Sequence, residues 1–154
     1  MHLSLSGFRR HPVLLTCVPD PGLLACLERF FEVEFADDPD LGDRDALRAR
    51  LAGKSALVDA RALAIDASLL ASLPHLKAVC RIGSCDAGID LAACTRAGVI
   101  VTNTPDCGTD ESAWRTMARV AADNLAAAFG FGRDGHPQNL LNTELRCVLG
   151  CCLG

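Results

Sequence analysis

Short apolar runs recur along this chain, and each is followed by a stretch with helical periodicity. The first run covers residues 13–18, and apolar positions then recur three and four residues apart from Leu23 to Phe31. Four further runs predict strands at residues 33–35, 56–59, 76–82 and 99–101. Strands that alternate with helices require right-handed crossovers, which build a parallel sheet with helices on both faces. The pattern therefore predicts a doubly wound α/β fold around a five-stranded parallel sheet.

The helices between these strands have recognisable start signals. Asp43 and Asp66 are predicted to cap the helices before and after the third strand, and residues 89–97 are predicted to be helical. Five βα units over residues 11–109 are typical of the flavodoxin-like strand order.

One long closing helix is predicted after the fifth strand, over residues 110–129. Thr109 is its predicted N-cap, and Asp110 suits the positive end of the helix dipole. Its apolar face is formed by Trp114, Met117, Ala121, Leu125 and Ala128. Residues 131–154 are predicted to be a loop-like tail, so the whole chain, residues 1–154, is expected to be a single α/β domain.

Composition excludes several classes of protein. Half of the residues are apolar, 22% are charged and the formal net charge is −4, with no basic cluster larger than Arg9-Arg10. Nucleic acid is therefore not an expected partner. Charged residues interrupt the apolar runs well before the roughly 18 residues that a membrane span needs, and the first residues do not fit a secretory leader. We expect a cytoplasmic protein.

Nine cysteines are scattered through the chain without a C-x-x-C pair. Neither a disulfide framework nor a metal site is indicated by this distribution. Most of the cysteines are expected to be small core residues.

Two literal motifs do not fit their usual contexts. Residues 130–135 spell G-x-G-x-x-G, but they follow a helix and lead into His136-Pro137, whereas the dinucleotide-binding turn follows a strand and opens a helix. Cys151 stands fourth from the end, yet its Cys neighbour and the terminal Gly fit a prenylation signal poorly.

The most informative segment is LKAVCRIGSCDAGID at residues 76–90, followed by GVIVTNTP at residues 98–105. This order of strand, Gly-containing loop, Ile-Asp helix start and Gly-Val-x-Val-x-Asn-x-Pro strand resembles the substrate-binding (catalytic) domain of the NAD(P)-dependent D-2-hydroxyacid dehydrogenases. Residues 109–113 resemble the start of the helix that leads into that family's nucleotide domain. Residues 115–125 and 137–140 resemble the segment where the chain returns from that domain.

In that family a complete nucleotide-binding domain separates the two segments, which here abut near residues 112–114. The resemblance covers most of residues 11–145. It implies that this chain lacks the Gly-rich phosphate turn, the acidic residue that holds the ribose, and the Arg, Glu and His of hydride transfer. No catalytic residue, cofactor-binding residue or NAD(P) is therefore assigned to this chain, and none of its four histidines stands in a catalytic context. We expect an isolated substrate-binding domain of a 2-hydroxyacid oxidoreductase, produced by a natural deletion or an excision and inactive on its own.

The resemblance assigns substrate binding to the loop of Ile82, Gly83, Ser84 and Cys85. At the carboxyl end of a parallel strand, backbone N–H groups freed by a Gly turn can point at a carboxylate. A small 2-hydroxy or 2-oxo acid is therefore the expected ligand, although Gly83 could instead serve only to permit a tight turn. Asp86 departs from the family, which often has aromatic and Asn residues in this region, and its charge would oppose an anion if it faced the pocket.

Two other doubly wound families fit less well. A flavodoxin, which binds flavin mononucleotide, needs phosphate-binding N–H groups after the first strand, where this chain has Pro19-Asp20-Pro21. A response-regulator receiver needs an acidic cluster, for which Asp20 and Asp59 could serve, and a Lys after the fifth strand, where this chain has none.

The remaining alternative is a non-catalytic module that self-associates or binds a ligand. Loss of an inserted domain would expose Trp114 and Met117 at the junction. Exposed apolar side chains of this size favour a homodimer.

Overall fold

Five strands form one sheet in the computed structural model, which describes residues 10–17, 20–85, 87–131 and 137–145. The strands are β1 (His11–Leu15), β2 (Phe31–Phe35), β3 (Ala56–Asp59), β4 (Ala78–Arg81) and β5 (Ile100–Thr102). All neighbouring strands are parallel, in the order β2-β1-β3-β4-β5. The predicted fold class, a doubly wound α/β domain in the flavodoxin-like order, is confirmed.

Each α-helix of the described chain begins after an aspartate whose carboxylate accepts a hydrogen bond from a backbone N–H of the first turn. The helices are α1 (Pro21–Glu28), α2 (Arg44–Leu51), α3 (Ala67–Ala71), α4 (Leu91–Arg96) and α5 (Glu111–Ala128). Their caps are Asp20, Asp43, Asp66, Asp90 and Asp110. Thr109 is therefore not the cap of α5, because the Asp110 carboxylate reaches the Ala113 N–H at 2.7 Å. The negative charge of an aspartate cap is also stabilised by the positive end of the helix dipole.

Helices cover the sheet on both faces. On one face α1 and α5 pack against strand residues such as Val13 and Val58. On the other face α2, α3 and α4 pack against residues such as Leu14 and Val79. Successive strand residues point to opposite faces, so the central strands are buried on both sides. This burial explains why the strands read as continuous apolar runs rather than as alternating patterns.

The fourth helix begins later than predicted. Ile89, the predicted start, instead forms a parallel bridge with Ile65, and the Asp90 N–H donates to the Ile65 carbonyl oxygen at 2.8 Å. The loops that follow β3 and β4 are therefore joined to each other before α4 starts.

Helix α5 runs without a break through residues 112–115, the boundary between the two resembling segments. Leu125 is buried against the sheet, and so is Met117, at 8% exposure. The expectation that Met117 is exposed at the junction is wrong, because this side chain lies on the sheet-facing side of the helix. Trp114 is half-buried at the edge of the same core. The helix ends at Ala128, and Gly130 follows with a φ of +81°, which a glycine adopts without strain.

The segment 137–145, which the sequence assigns to the loop-like tail, lies along the outer edge of β5. The Leu141 N–H donates to the Val101 carbonyl oxygen at 2.8 Å. The Asn142 side chain accepts from the Val101 N–H at 2.9 Å and donates to the Val99 carbonyl oxygen at 2.7 Å. Asn142 therefore takes the place of a neighbouring strand, and these contacts cover one edge of the sheet.

The six cysteines within the described residues are all free thiols. Cys17, Cys80 and Cys94 are buried, as expected for core residues, whereas Cys85 and Cys107 are exposed. The cysteines at positions 147, 151 and 152 lie outside the described residues, as does most of the G-x-G-x-x-G segment. No helix in the described part of the chain is long and apolar enough to cross a membrane.

Candidate carboxylate-binding loop

The predicted substrate loop follows β4 directly and lies at the carboxyl end of the sheet. Ile82 is buried, and its backbone N–H donates to the Asp59 carbonyl oxygen at 2.8 Å. Gly83 has a φ of +111°, which side chains rarely allow, and its N–H donates to the Thr104 hydroxyl oxygen at 2.7 Å. The N–H groups of Ile82 and Gly83 are therefore already occupied by acceptors within the protein.

Ser84 and Cys85 differ from these two residues. Both are exposed, and their backbone N–H groups have no acceptor among the residues that the structure describes. The loop thus has two adjacent N–H groups that no described residue occupies. The next residue, Asp86, lies outside the described residues.

The loop that follows β5 supports the substrate loop from its side. The Thr104 N–H donates to the Gly83 carbonyl oxygen at 3.2 Å, and the Asn103 side chain donates to the Ser84 carbonyl oxygen at 3.2 Å. Thr104 is completely buried and Asn103 is half-buried. In the sequence Asn103 is recognisable only as part of a motif, and nothing there indicates a role for Thr104. The adjacency of β4 and β5 is the signal that would have indicated these contacts.

A buried ion pair lies beneath the loop. Arg81, the last residue of β4, and Asp59, the last residue of β3, are 2% and 0% exposed. The guanidinium donates to an Asp59 carboxylate oxygen at 3.1 Å and to the Leu63 carbonyl oxygen at 2.6 Å, and it also donates to the Ala87 carbonyl oxygen. Arg81 therefore joins the loops after β3 and β4, and its charge is balanced by Asp59 rather than available to a ligand.

The acidic residues that a receiver domain would need have structural roles here. Asp59 accepts hydrogen bonds from the Thr16 hydroxyl and from the N–H groups of Arg61 and Leu63, in addition to Arg81. Asp20 accepts from two N–H groups of the first turn of α1. A fully enclosed carboxylate cannot receive a phosphoryl group. The capped start of α1 likewise leaves fewer N–H groups for the phosphate of a flavin.

The histidines of the described chain lie away from the loop. His11 begins β1 and contacts Phe129, with ring centroids 4.6 Å apart, and His75 is exposed shortly before β4. Both positions are at the amino end of the sheet. A wide, open concavity of about 1000 Å³ also lies at that end, lined by Arg10, His11 and Glu28 among others, so its position does not coincide with the predicted substrate loop.

The buried thiols near the sheet are poor nucleophiles. Burial raises the pKa of Cys80 to about 12 and the pKa values of Cys17 and Cys94 to about 11. Their thiolate forms are therefore scarce near neutral pH. Among the described residues, no three His, Cys, Asp or Glu side chains converge where a metal ion could bind.

Curated relatives of this chain are dehydrogenases and reductases. Glyoxylate reductase from Thermococcus litoralis is 31% identical over 120 residues, which are 77% of this chain and 36% of that protein. D-3-phosphoglycerate dehydrogenase from Mycobacterium bovis is 35% identical over 102 residues, which are 66% of this chain and 19% of that protein. The chain thus spans about a third of the length of the former and about a fifth of the latter.

Solved structures with a similar fold also include dehydrogenases and oxidoreductases. A D-isomer specific 2-hydroxyacid dehydrogenase from Polaromonas aligns with 64% of this chain and 31% of its own, with a TM-score of 0.57 and 25% identity. A phosphoglycerate oxidoreductase from Vibrio cholerae aligns with 77% of this chain and 37% of its own, with a TM-score of 0.55 and 27% identity.

A family model also covers most of the chain. The model of the D-isomer specific 2-hydroxyacid dehydrogenase catalytic domain matches residues 13–139, which include all of the sheet except the first two residues of β1, together with α5 and the substrate loop. The chain therefore belongs to the D-isomer specific 2-hydroxyacid dehydrogenase family.

Proposed function

We propose that this chain binds small 2-hydroxy or 2-oxo acids through the backbone N–H groups of Ser84 and Cys85. The observation that carries the proposal is that two exposed residues after the carboxyl end of β4 have backbone N–H groups without an acceptor among the described residues. Adjacent backbone N–H groups bind carboxylate oxygens well. Ile82 and Gly83 then have a supporting role, because their own N–H groups are occupied.

The proposed affinity is low. Hydrogen bonds to a charged group contribute about 1.5–3 kcal/mol each, and two of them must offset the loss of ligand freedom on association. The nearest buried cation, Arg81, is neutralised by Asp59, so it adds little attraction. We expect a dissociation constant on the order of millimolar.

The proposed domain does not reduce or oxidise its ligand by itself. Helix α5 is continuous through residues 112–115, the place where the resemblance puts the nucleotide-binding domain of the intact family. The two described histidines, His11 and His75, lie at the opposite end of the sheet from the loop. The domain is therefore proposed to lack NAD(P) binding and hydride transfer. It would be a substrate-binding half without the nucleotide-binding half.

Two relatives carry names that guide the choice of ligand, glyoxylate reductase and D-3-phosphoglycerate dehydrogenase. Glyoxylate is the simpler acid and is therefore the first probe. Titration of the ¹⁵N-labelled chain with glyoxylate should shift the amide signals of Ser84 and Cys85 more than those of Ile82 and Gly83. The variant Ser84→Asp should weaken binding about tenfold, because it places a like charge beside the carboxylate.

Ala49→Asp is the matched control, since it adds the same charge at an exposed position of α2. Its affinity for glyoxylate should equal that of the unmodified chain. Equal weakening by both variants, or the absence of saturable shifts at Ser84 and Cys85, would contradict the carboxylate site. Oxidation of NADH in the presence of glyoxylate, pyruvate or hydroxypyruvate would contradict the proposed inactivity.

Self-association is proposed as a second property, with Trp114 as the contact residue. Trp114 is half-buried at the edge of the core, whereas Met117 is buried within the protomer and offers little contact area. A homodimer held by one such side chain per protomer would be weak. We also propose a cytoplasmic location, which the free and exposed thiols of Cys85 and Cys107 support, because such thiols persist in reducing compartments.

A further inference from the structure

We propose that the Thr104 hydroxyl is a positioning group for the substrate loop, which fixes the Ser84 and Cys85 N–H groups before a ligand arrives. This inference rests on the proposed carboxylate site. It adds a residue that does not touch the ligand but determines the shape of the site.

Thr104 makes a reciprocal pair of hydrogen bonds with Gly83. Its hydroxyl oxygen accepts from the Gly83 N–H at 2.7 Å, and its own N–H donates to the Gly83 carbonyl oxygen at 3.2 Å. Thr104 is 0% exposed, so water does not compete for these bonds. A glycine such as Gly83, which has a φ of +111° here, can adopt many backbone conformations. The two hydrogen bonds with Thr104 select one of them.

The neighbouring residue extends this support to the tip of the loop. The Asn103 side chain donates to the Ser84 carbonyl oxygen at 3.2 Å, and the Asn103 carbonyl oxygen accepts from the Asn124 side chain at 3.2 Å. Asn124 is 2% exposed and also accepts from the Gln138 N–H at 3.0 Å. The loop is therefore held through β5 by both α5 and the segment 137–145.

The consequence for binding is preorganisation. A carboxylate that meets two N–H groups already aligned does not have to order the loop, so less of the binding free energy is lost. Removal of the Thr104 hydroxyl leaves the Gly83 N–H without its acceptor and frees the loop to sample other conformations. Weaker binding should then follow from loop disorder, not from the loss of a ligand contact.

Amide hydrogen exchange of the ligand-free chain tests the positioning role directly. In the unmodified chain the Gly83 amide should exchange at least tenfold more slowly than the amides of Ser84 and Cys85. Thr104→Val, which keeps the side-chain shape but removes the hydroxyl, should abolish this protection. Thr104→Ser should restore it, because serine supplies the same acceptor. Thr95→Val is the control, since among the described residues the Thr95 hydroxyl bonds only within α4, to the Leu91 carbonyl oxygen.

Glyoxylate titration of the same four proteins completes the test. Thr104→Val should bind about tenfold more weakly, while Thr104→Ser and Thr95→Val should bind as the unmodified chain does. A Gly83 amide that is unprotected in the unmodified chain overturns the positioning role, even if Thr104→Val does not fold. Equal protection and equal affinity in Thr104→Val also overturn it while the carboxylate site stands. If Thr104→Val loses the Gly83 protection but the unmodified chain does not bind glyoxylate, the positioning role is supported and only the carboxylate site is refuted.

Discussion

Asp59 and Arg81 form a buried ion pair at the carboxyl ends of β3 and β4. The Asp59 carboxylate accepts four hydrogen bonds, from the Thr16 hydroxyl, two backbone N–H groups and the Arg81 guanidinium. Arg81 Nε has no partner among the described residues. A buried pair of this kind contributes little beyond its desolvation penalty, but the loss of one partner leaves an uncompensated charge.

Replacement of Asp59 by Asn should therefore destabilise the protein strongly. The amide removes the charge opposite Arg81 and offers an NH₂ group to donors that need an acceptor, so we expect the free energy of unfolding to fall by about 3–5 kcal/mol. Urea denaturation at neutral pH measures the change. Asp45→Asn is the control, because the side chain of Asp45 is 88% exposed. This substitution should lower the free energy of unfolding by less than about 0.5 kcal/mol. A loss below about 1 kcal/mol in Asp59→Asn would contradict this account.

The sequence indicated the position of the candidate site but not which of its N–H groups are available to a ligand. The resemblance placed the loop at Ile82 to Cys85, and the structure has this loop at the carboxyl end of β4. The availability of each N–H depends on acceptors from other strands, namely the Asp59 carbonyl and the Thr104 hydroxyl. A single sequence does not reveal such contacts between distant segments.

Among the elements, β2 and α2 are joined by a cluster of surface ion pairs. Arg50 of α2 donates to both carboxylate oxygens of Asp38, at 2.7 and 3.0 Å, and to Glu34 of β2 at 2.8 Å. Lys54 pairs with the other Glu34 oxygen at 2.6 Å. The hydrogen bond from Lys54 is the main cause that lowers the pKa of Glu34 below its ordinary 4.5. The hydrogen bond from Arg50 is the main cause that lowers the pKa of Asp38 below its ordinary 3.8.

These directions predict a loss of stability in acid. Carboxylates whose pKa values are lower in the folded than in the unfolded state contribute stability that is fully present above the unfolded values and is lost as the pH falls through the folded ones. The urea midpoint should therefore decline below about pH 4.5. Arg50→Met should flatten this decline, because it removes a partner shared by both carboxylates. Arg48→Met is the control, and an equally steep decline in Arg50→Met and the unmodified chain would refute the role of the cluster.

The elements themselves were largely predictable, because their signals are local. Apolar runs and aspartate caps such as Asp43 and Asp66 need only neighbouring residues. The late start of α4 and the cover of β5 were not predictable in this way. Ile89 forms a bridge with Ile65, and the Asn142 side chain makes hydrogen bonds with the backbone of residues 99 and 101 as a neighbouring strand would. Both features therefore depend on residues far away in the chain.

The whole molecule presents Trp114 near the start of α5 as a half-buried aromatic side chain. Burial of the remaining Trp surface in a homodimer would contribute less than the roughly 1.5–3 kcal/mol of a fully buried large apolar side chain, before association costs. Sedimentation over a wide concentration range should therefore reveal weak self-association that Trp114→Ala abolishes. Phe35→Ala removes an exposed aromatic ring from β2, where Phe35 is 36% exposed, and should leave self-association unchanged. A chain that stays monomeric at high micromolar concentration, or a dimer unaffected by Trp114→Ala, would contradict this proposal.

The segment that covers β5 should reach its place late during folding. The hydrogen bond from Leu141 to Val101 closes a long loop of the chain, and 18 of the residues in that loop belong to α5. Closure of this long loop loses chain entropy, and the loss is smaller once α5 has formed and docked on the sheet. Until then the outer edge of β5 has unpaired backbone groups, which in a newly made chain are free to pair with a second molecule. Substitutions that weaken the packing of α5 should therefore appear first as aggregation during synthesis, before any change in the folded protein is detected.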